Sequence, residues 1–252
     1  RKIFIYSFLA HIIIKYLHIY LNIKIVLTYM SNICVIVQAR LGSKRVNNKM
    51  CRPFGNSTLL DITLSNLQKS KVIRKEDVYV SVYENELKNI ARKYDFNIYN
   101  RSELSANTEN DMKLMFEWWN KLHYEYYIII SACHPFLSIE TIDNFYIKFS
   151  EHQQKGIFAV VKKKNYYWDN SYNMITDWPE NQTTFNTKMV ENTYEAAHCL
   201  YGGNMNDIGK YIYMGDFSKK EIELYVIQDE METLDIDYQW QFDIYDKFIK
   251  NI

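Results

Sequence analysis

The hydrophobic pattern changes repeatedly between short apolar runs and longer segments with helical periodicity. Two runs, ICVIVQ at 33–38 and YYIIISA at 126–132, consist almost entirely of apolar residues, which is typical of strands buried on both faces. In ENELKNIARKYD at 84–95, apolar residues recur every three or four positions and predict a helix with one buried face. The run at 126–132 is the most apolar of these strands, so we expect it at the centre of a sheet.

The rest of the chain continues this alternation. Further strands are predicted at 77–83, 96–101, 156–164 and 226–230, with a short one at 234–237, and further helices at 58–70, 109–123, 139–152 and near the C-terminus. Strands that alternate with helices imply an α/β fold, here a single three-layer α/β/α domain with a mostly parallel sheet. In such a fold, ligands bind beyond the carboxyl ends of the strands.

Composition and charge limit the classes of protein that fit. The chain has 252 residues with 30 Lys+Arg and 30 Asp+Glu, so its net charge is zero and a nucleic-acid partner is disfavoured. Its four cysteines follow no metal-binding or redox spacing, and a reducing, cytoplasmic location is expected.

The first 29 residues differ from the rest, because they carry four cations and no acid. Their longest uncharged run is shorter than the about 20 apolar residues that a membrane-spanning helix needs. We therefore predict an apolar extension at 1–29 and one domain at 30–252. Upstream sequence translated in frame, or a fragment boundary, is favoured as the source of this extension. Amphipathic attachment to a membrane surface is the alternative.

A cationic loop follows the first predicted strand, in the stretch VQARLGSKRVNNKM at 37–50. It carries four cations and no acid: Arg40, Lys44, Arg45 and Lys49. Gly42 permits close approach of the backbone, and successive N–H groups can then point at phosphate oxygens. The loop lacks the GK[ST] ending of a P-loop and the GxGxxG of a dinucleotide site. On charge alone, a basic surface loop is the favoured interpretation, so a nucleotide-phosphate site needs further support.

An acidic pair lies near the C-terminus, in LDID at 234–237. In a strand, alternate side chains share a face, so Leu234 and Ile236 would point inward while Asp235 and Asp237 point together the other way. Two adjacent carboxylates repel each other unless a cation lies between them. Mg²⁺ commonly binds through one or two carboxylates and substrate phosphates. A lone D-x-D is more often a solvated strand end, but a phosphate loop in the same chain favours a metal site.

The cationic loop resembles the signature of the sugar-acid cytidylyltransferases, the family that activates sialic acid and related 2-keto-3-deoxy sugars. The matching residues are Ala39, Arg40, Gly42, Ser43, Lys44, Arg45 and Lys49. Asn47 and Asn48 replace the usual Pro-Gly, and Asn tolerates the left-handed backbone that such a turn needs. NRSELSANTEN, SACHPFL and LDID resemble later family segments in the same order, so the resemblance covers the chain from Met30 onward.

The resemblance implies a nucleotide-diphospho-sugar transferase-like fold and transfer of CMP from CTP to the anomeric hydroxyl of a sugar acid, with release of pyrophosphate, for glycan biosynthesis. It also implies a homodimer. The implied catalytic residues are Arg40, Lys49, Asp235 and Asp237, the last two also holding Mg²⁺. The implied nucleotide-binding residues are Ala39, Leu41, Gly42, Ser43, Arg101 and Asn110. His134, Glu195 and His198 are candidates for contacting the sugar.

Kdo-type members of the family carry an acidic residue in this motif and SACHPFL has none, so the resemblance favours the sialic-acid-like branch. Residues 165–200 match the sialic-acid enzymes poorly, so a legionaminic- or pseudaminic-type sugar, or another surface-glycan precursor, is the alternative acceptor. Three alternatives stay open. One is a sugar nucleotidyltransferase of the spore-coat polysaccharide type, which shares the QARxGS opening. Another is a nucleotide-binding scaffold of this fold without turnover, and the last is an α/β domain with no nucleotide role.

Overall fold

A seven-stranded sheet organises the protein, for which a computed structural model describes residues 15, 32–152, 155–217 and 222–251. The strands are β1 Ile33–Gln38, β2 Val78–Val82, β3 Asn97–Asn100, β4 Tyr126–Ile130, β5 Gly156–Lys163, β6 Thr193–Asn204 and β7 Ile222–Ile227. Their order across the sheet is β3-β2-β1-β4-β6-β5-β7. Strand β6 is antiparallel to both of its neighbours, and every other pairing is parallel. The predicted mostly parallel α/β fold is confirmed, and β4 is the central strand as expected.

The α-helices of the described residues are α1 Leu59–Leu67, α2 Asn85–Ala91, α3 Glu103–Asn107, α4 Met112–Met115, α5 Ile139–Glu151, α6 Met205–Ile208 and α7 Gln239–Ile249. Two of the longer helices begin at hydroxyl N-caps, where the sequence pattern predicts. Thr58 caps α1 by accepting from the N–H of Asp61, and Ser138 caps α5 by accepting from the N–H of Thr141.

The side chains of β1 divide between two hydrophobic clusters, one on each face of the sheet. Val35 and Val37 belong to the larger cluster, which α1, α2, α5 and α7 complete. Cys34 and Ile36 belong to the smaller cluster, which contains Trp118 and residues of α6. Because successive strand residues point to opposite faces, these two clusters make the three layers of the fold.

Several predicted elements differ from the structure. The helix expected at 109–123 is broken into α4 and the 3₁₀ helix Glu117–Asn120, with a non-helical backbone at Phe116 between them. That break buries Trp118 completely and lets its indole N–H donate to Gln38. Strand β7 begins four residues earlier than expected. The sequence indicated a strand start near YEAAHCLY at 194–201 but not the full length of β6, which is twelve residues.

The short strand expected at LDID is wrong. Residues 234–237 are extended but belong to no strand, and one backbone bond, from the N–H of Ile236 to the carbonyl of Cys133, joins them to the loop after β4. Ile236 is fully buried, as the alternation predicted, while Leu234 is half-buried. The segment follows the 3₁₀ helix Glu230–Thr233, which lies between it and the end of β7 at Ile227.

Among the described residues, no helix combines the length and apolarity that crossing a bilayer would require. The predicted extension at 1–29 lies outside the described residues except for Lys15, so the boundary at residue 30 stays a prediction.

Candidate active site

The cationic loop of residues 39–50 leaves the carboxyl end of β1 and turns back at Asn48. The φ of Asn48 is 52°, in the left-handed region, so the asparagine supplies the turn that the sequence predicted. Gly42 is different: its φ is ordinary, and a Cβ added there would meet no atom within 4 Å. Nothing in the folded chain itself therefore requires glycine at position 42, which leaves room for a ligand against the backbone.

Lys49 joins the loop to the acidic segment 187 residues later. Its Nζ donates to the carbonyl oxygen of Ile236 at 2.6 Å and lies 3.7 Å from Oδ1 of Asp237. Arg45 Nη2 contacts the same carboxylate oxygen at 2.7 Å. Lys49 is only 8 % exposed, so its charge is screened less than a surface charge would be. The two halves of the site that the sequence proposed are thus in direct contact.

Asp235 lies beside this contact and is partly buried. Its Oδ1 is enclosed and has no hydrogen-bond partner among the described residues. Burial, and then the charge of Asp237, raises the pKa of Asp235. A buried carboxylate oxygen without a donor is destabilising unless a cation compensates it.

This donor set fits Mg²⁺, which prefers carboxylate oxygens and takes its remaining ligands from phosphate and water. The described residues contain no group of three or more His, Cys, Asp or Glu side chains arranged for a metal ion. Asp235 and Asp237 would therefore need phosphate oxygens to complete the coordination.

At the other end of the loop, Arg40 and Lys44 share one carboxylate. Arg40 Nη2 lies 2.9 Å from Oε1 of Glu109, and Lys44 Nζ lies 3.1 Å from its Oε2. Arg40 Nη1 also donates to the carbonyl oxygen of Ala106 at 3.2 Å. Hydrogen bonds from Lys44 and then Arg40 lower the pKa of Glu109, so it is ionised at neutral pH.

An open cavity of about 720 Å³ lies between these groups, lined by the cationic loop and by Asp237, whereas Asp235 does not line it. Its lining residues are Gln38, Ala39, Arg40, Ser43, Lys44, Arg45, Lys49, Met50, Arg101, Thr108, Glu109, Met115, Cys133 and Asp237. The volume is within the range of small-molecule sites. Five cations and two carboxylates line it, so the cavity favours an anion.

Arg101 lines the cavity but also holds the segment that follows it. Its Nε donates to Oγ of Ser105 at 2.9 Å, and Nη2 donates to the carbonyl oxygens of Ser105 and Met115 at 2.7 and 3.3 Å. Burial, and then the charge of Arg40, lowers the pKa of Arg101 to about 10. These bonds to α3 and α4 give Arg101 a structural role beside the predicted contact with cytosine.

Three backbone N–H groups predicted to face phosphate are engaged within the protein. Ala39 donates to the carbonyl oxygen of Ser81, Ser43 donates to that of Leu41, and Leu41 donates to Oε1 of Glu84 at 2.8 Å. Glu84 comes close because it follows β2, the strand beside β1. The predicted cradle of successive N–H groups is therefore reduced, and the cationic side chains provide most of the positive charge.

Three of the predicted nucleotide-binding residues do not line the cavity. Leu41 and Gly42 lie beside it in the loop, and Asn110 is exposed to solvent. Thr108 and Glu109, the two residues before Asn110 in the connection between α3 and α4, line the cavity instead.

The three candidate sugar-contacting residues also lie outside the cavity. His134 is 3 % exposed, its Nδ1 is 3.1 Å from Oγ of Ser131, and it borders a separate cavity of about 10 Å³. Glu195 is exposed on β6 and lies 3.9 Å from Lys163. His198 is exposed at an irregularity in the pairing of β5 with β6, with a φ of 55°. Its Nδ1 lies 3.1 Å from the hydroxyl oxygen of Tyr201.

The buried position of His134 predicts a pH-dependent loss of stability. Burial lowers its pKa to about 4 from 6.5, so the unfolded chain binds the proton more readily and stability falls as pH drops below 6.5. Between pH 7 and pH 5 this single group should cost about 2 kcal/mol of unfolding free energy. Urea denaturation at both pH values should show a drop smaller by that amount in His134→Asn. An equal drop in unfolding free energy in the wild type and in His134→Asn would show that His134 does not cause the pH dependence.

Sequence reasoning missed two carboxylates that organise the cationic loop, Glu84 and Glu109. Both come from segments far from the loop in sequence, and only the spatial arrangement reveals their contacts. Cys133 was assigned no role, yet it lines the cavity and burial raises the pKa of its thiol.

Comparison with known proteins identifies the family of this chain. A sequence profile of the family described as "Cytidylyltransferase" matches residues 34–250. An uncharacterised protein of Methanocaldococcus jannaschii is 31% identical over 135 residues, 52% of this chain and 51% of that protein. The chain thus aligns with about half the length of this curated relative.

Solved structures show the same fold at low identity. CMP:2-keto-3-deoxy-manno-octonic acid synthetase complexed with CTP superposes with a TM-score of 0.63 at 9% identity, covering 87% of this chain and 99% of that one. The 4-diphosphocytidyl-2C-methyl-D-erythritol synthase of Anaerococcus prevotii gives 0.61 at 17% identity, covering 88% and 99%. A cytidylyltransferase from Leptospira borgpetersenii gives 0.58 at 18%, covering 88% and 87%. The profile match shows that this chain belongs to the cytidylyltransferase family, a family of nucleotidyltransferase enzymes.

Proposed function

We propose that this protein transfers CMP from CTP to the anomeric hydroxyl of a 2-keto-3-deoxy sugar acid and releases pyrophosphate. One observation carries the proposal: Lys49 of the cationic loop and Asp237 of the acidic segment meet at 3.7 Å in a cavity large enough for a nucleotide. A triphosphate in this cavity would lie between cations that neutralise it and carboxylates suited to its metal ion.

In the proposed reaction, the sugar hydroxyl oxygen forms a bond to the α-phosphorus of CTP. The bond from that phosphorus to the β-phosphate oxygen breaks, pyrophosphate leaves in line, and the hydroxyl proton is released. Such transfers depend on positioning and on neutralising negative charge. Arg40 and Lys49 would neutralise the charge that develops on the departing pyrophosphate, and Arg101 would border the base.

Asp235 and Asp237 would hold Mg²⁺ together with phosphate oxygens. When bound, this ion would offset phosphate charge and favour loss of the hydroxyl proton. The enclosed Oδ1 of Asp235 supports this placement, because a cation would give it the partner it lacks among the described residues.

Arg40→Ala is expected to lower kcat/KM for CTP on the order of 10²-fold, because a cation at the triphosphate is lost. Arg92→Ala, which removes an exposed arginine from the C-terminal end of α2, is the matched control and should keep full activity. Pyrophosphate release measures both variants. If Arg40→Ala stays within a few-fold of the wild type, Arg40 has no role in transfer.

The proposed acceptor is a sialic-acid-like sugar, on the ground that the segment after β4 has no acidic residue. His134, Glu195 and His198 are the candidates for contacting this acceptor, although none of them lines the cavity. A pyrophosphate-release assay with CTP and Mg²⁺ over a panel of nonulosonic acids tests the proposal. We expect release with a sialic-acid-like member of the panel. CTP binding without release for any sugar would instead support a scaffold without turnover.

An exposed aromatic surface supports the proposed homodimer. It consists of Trp168, Tyr172, Trp178 and Phe185, which are between 41% and 89% exposed. Aromatic residues are enriched at protein interfaces, and large exposed apolar patches are rare on monomers. The chain's zero net charge does not oppose association of two copies.

Phe185→Asp is expected to shift the protein from dimer to monomer in sedimentation velocity, because it places a charge inside this aromatic surface. Leu104→Asp, which changes an exposed residue of α3 outside the surface, should leave the sedimentation coefficient unchanged. A Phe185→Asp protein that still sediments as the wild type does would exclude this surface as the interface.

A further inference from the structure

Two carboxylates hold the four cations of the loop in pairs. Asp237 bridges one pair, and Glu109 bridges the other, Arg40 and Lys44. Asp237 already has a proposed role with the metal ion. Glu109 has no proposed role so far. It lies 69 residues from Arg40 in sequence, yet the two side chains are in contact in the cavity.

The Glu109 carboxylate binds Arg40 and Lys44 in the way that a phosphate group would. Each of its oxygens contacts a different cation, at 2.9 and 3.1 Å, and ionised pairs of this kind also bind phosphate. All three side chains line the cavity of 720 Å³. A phosphate chain that reaches Arg40 and Lys44 therefore has to take the place of this carboxylate.

The surroundings of Glu109 allow it to move away. Its side chain is 41% exposed, and the short connection between α3 and α4 that carries it is on the surface. Lys44 is 80% exposed and can follow either partner. Exposed ion pairs of this type contribute little stability, so exchange of one anion for another costs little free energy.

We propose that Glu109 is a displaceable internal anion, which holds Arg40 and Lys44 in the free protein and leaves when the phosphate chain of the nucleotide binds. This inference rests on the proposed function, since it takes a polyphosphate as the ligand of the loop. Glu109 weakens polyphosphate binding by competing for two cations. After transfer, its return to Arg40 and Lys44 promotes release of pyrophosphate.

Glu109→Gln tests the proposal, because it keeps the size of the side chain and removes its charge. Glu103→Gln is the matched control: it removes one negative charge from the exposed first turn of the preceding helix α3, outside the cavity. Calorimetric titration with inorganic triphosphate and with pyrophosphate gives the affinities. We expect both ligands to bind Glu109→Gln about fivefold more tightly, the combined effect of two exposed ion pairs, and to bind Glu103→Gln as they bind the wild type.

Equal or weaker binding by Glu109→Gln would overturn the proposal, and so would an equal gain in Glu103→Gln, which would indicate a general charge effect. If neither ligand binds the wild type or the variants, the loop is not a polyphosphate site and the inference fails with it. CTP-dependent pyrophosphate release by the wild type tests the proposed function separately. Normal release together with unchanged affinity in Glu109→Gln would reject only the role of Glu109.

Discussion

Asp237→Asn is expected to abolish Mg²⁺-dependent CMP transfer, a loss on the order of 10³-fold or more in turnover, while the fold is kept. The substitution removes a charge that the metal ion needs, and the contribution of a metal ion to phosphoryl transfer is several kcal/mol. The new side chain has the same size and keeps an oxygen that can still accept from Arg45, whose contact with Asp237 is 2.7 Å.

Metal-free binding of CTP separates this role from a structural one. Asp237→Asn should bind CTP without added metal at least as tightly as the wild type does, because a carboxylate that repels phosphate is gone. Asp243→Asn, which changes an exposed carboxylate on α7, should retain activity and its dependence on Mg²⁺. Unchanged metal dependence in Asp237→Asn would place the metal ion elsewhere.

Lys49→Met is expected to lower kcat/KM for CTP on the order of 10³-fold, the upper end of the range for removal of one electrostatic contact. The effect exceeds that of Arg40→Ala because Lys49 is buried, and a charge with little solvent around it acts more strongly on a nearby phosphate. Methionine fills a similar volume, so the packing around the side chain is largely kept.

Lys44→Met provides the comparison, since it removes the same charge from a side chain that is 80% exposed in the same loop. We expect its kcat/KM to fall no more than about tenfold, as screening weakens exposed charges. Thermal melting of both variants checks that they fold. Equal losses in the two variants would show that burial of Lys49 is irrelevant to the site.

The features that the sequence predicted depend on neighbouring residues. Apolar periodicity indicated the alternation of strands and helices, because burial of a strand or of a helix face leaves a local pattern. The turn at Asn48 was predictable for the same reason, because asparagine tolerates a left-handed backbone such as the φ of 52° found there. The cationic loop was found by its charges and by its position after β1.

Features that depend on distant residues were missed or predicted only in part. Strand β6 runs antiparallel between β4 and β5, contains Gly202 and Gly203, and is interrupted near His198, so its apolar pattern is weak. The contacts of Glu84 and Glu109 with the loop join residues 43 or more positions apart. No local pattern encodes such pairs.

The prediction for the acidic segment was right in one respect and wrong in another. Asp235 and Asp237 were predicted to lie beside the cationic loop, and Asp237 lies 3.7 Å from Lys49 of that loop. Their role as metal ligands stays a prediction, and the strand assigned to them was wrong. One backbone bond to Cys133, the buried side chain of Ile236 and the hydrogen bond from Lys49 to the Ile236 carbonyl oxygen hold the segment in place of a strand ladder. Extended backbone with alternating burial has the same sequence pattern whether or not it pairs in a sheet.

The central claim is that one CTP bridges the cationic loop and the acidic pair. A crystal structure with a non-hydrolysable CTP analogue and Mn²⁺, which takes the same oxygen ligands as Mg²⁺ and gives an anomalous signal, tests it most directly. We predict a triphosphate in contact with Arg40 and Lys49, and an anomalous peak between its oxygens and Asp235 and Asp237. A nucleotide bound away from this loop, or a metal peak bound by neither aspartate, would contradict the account.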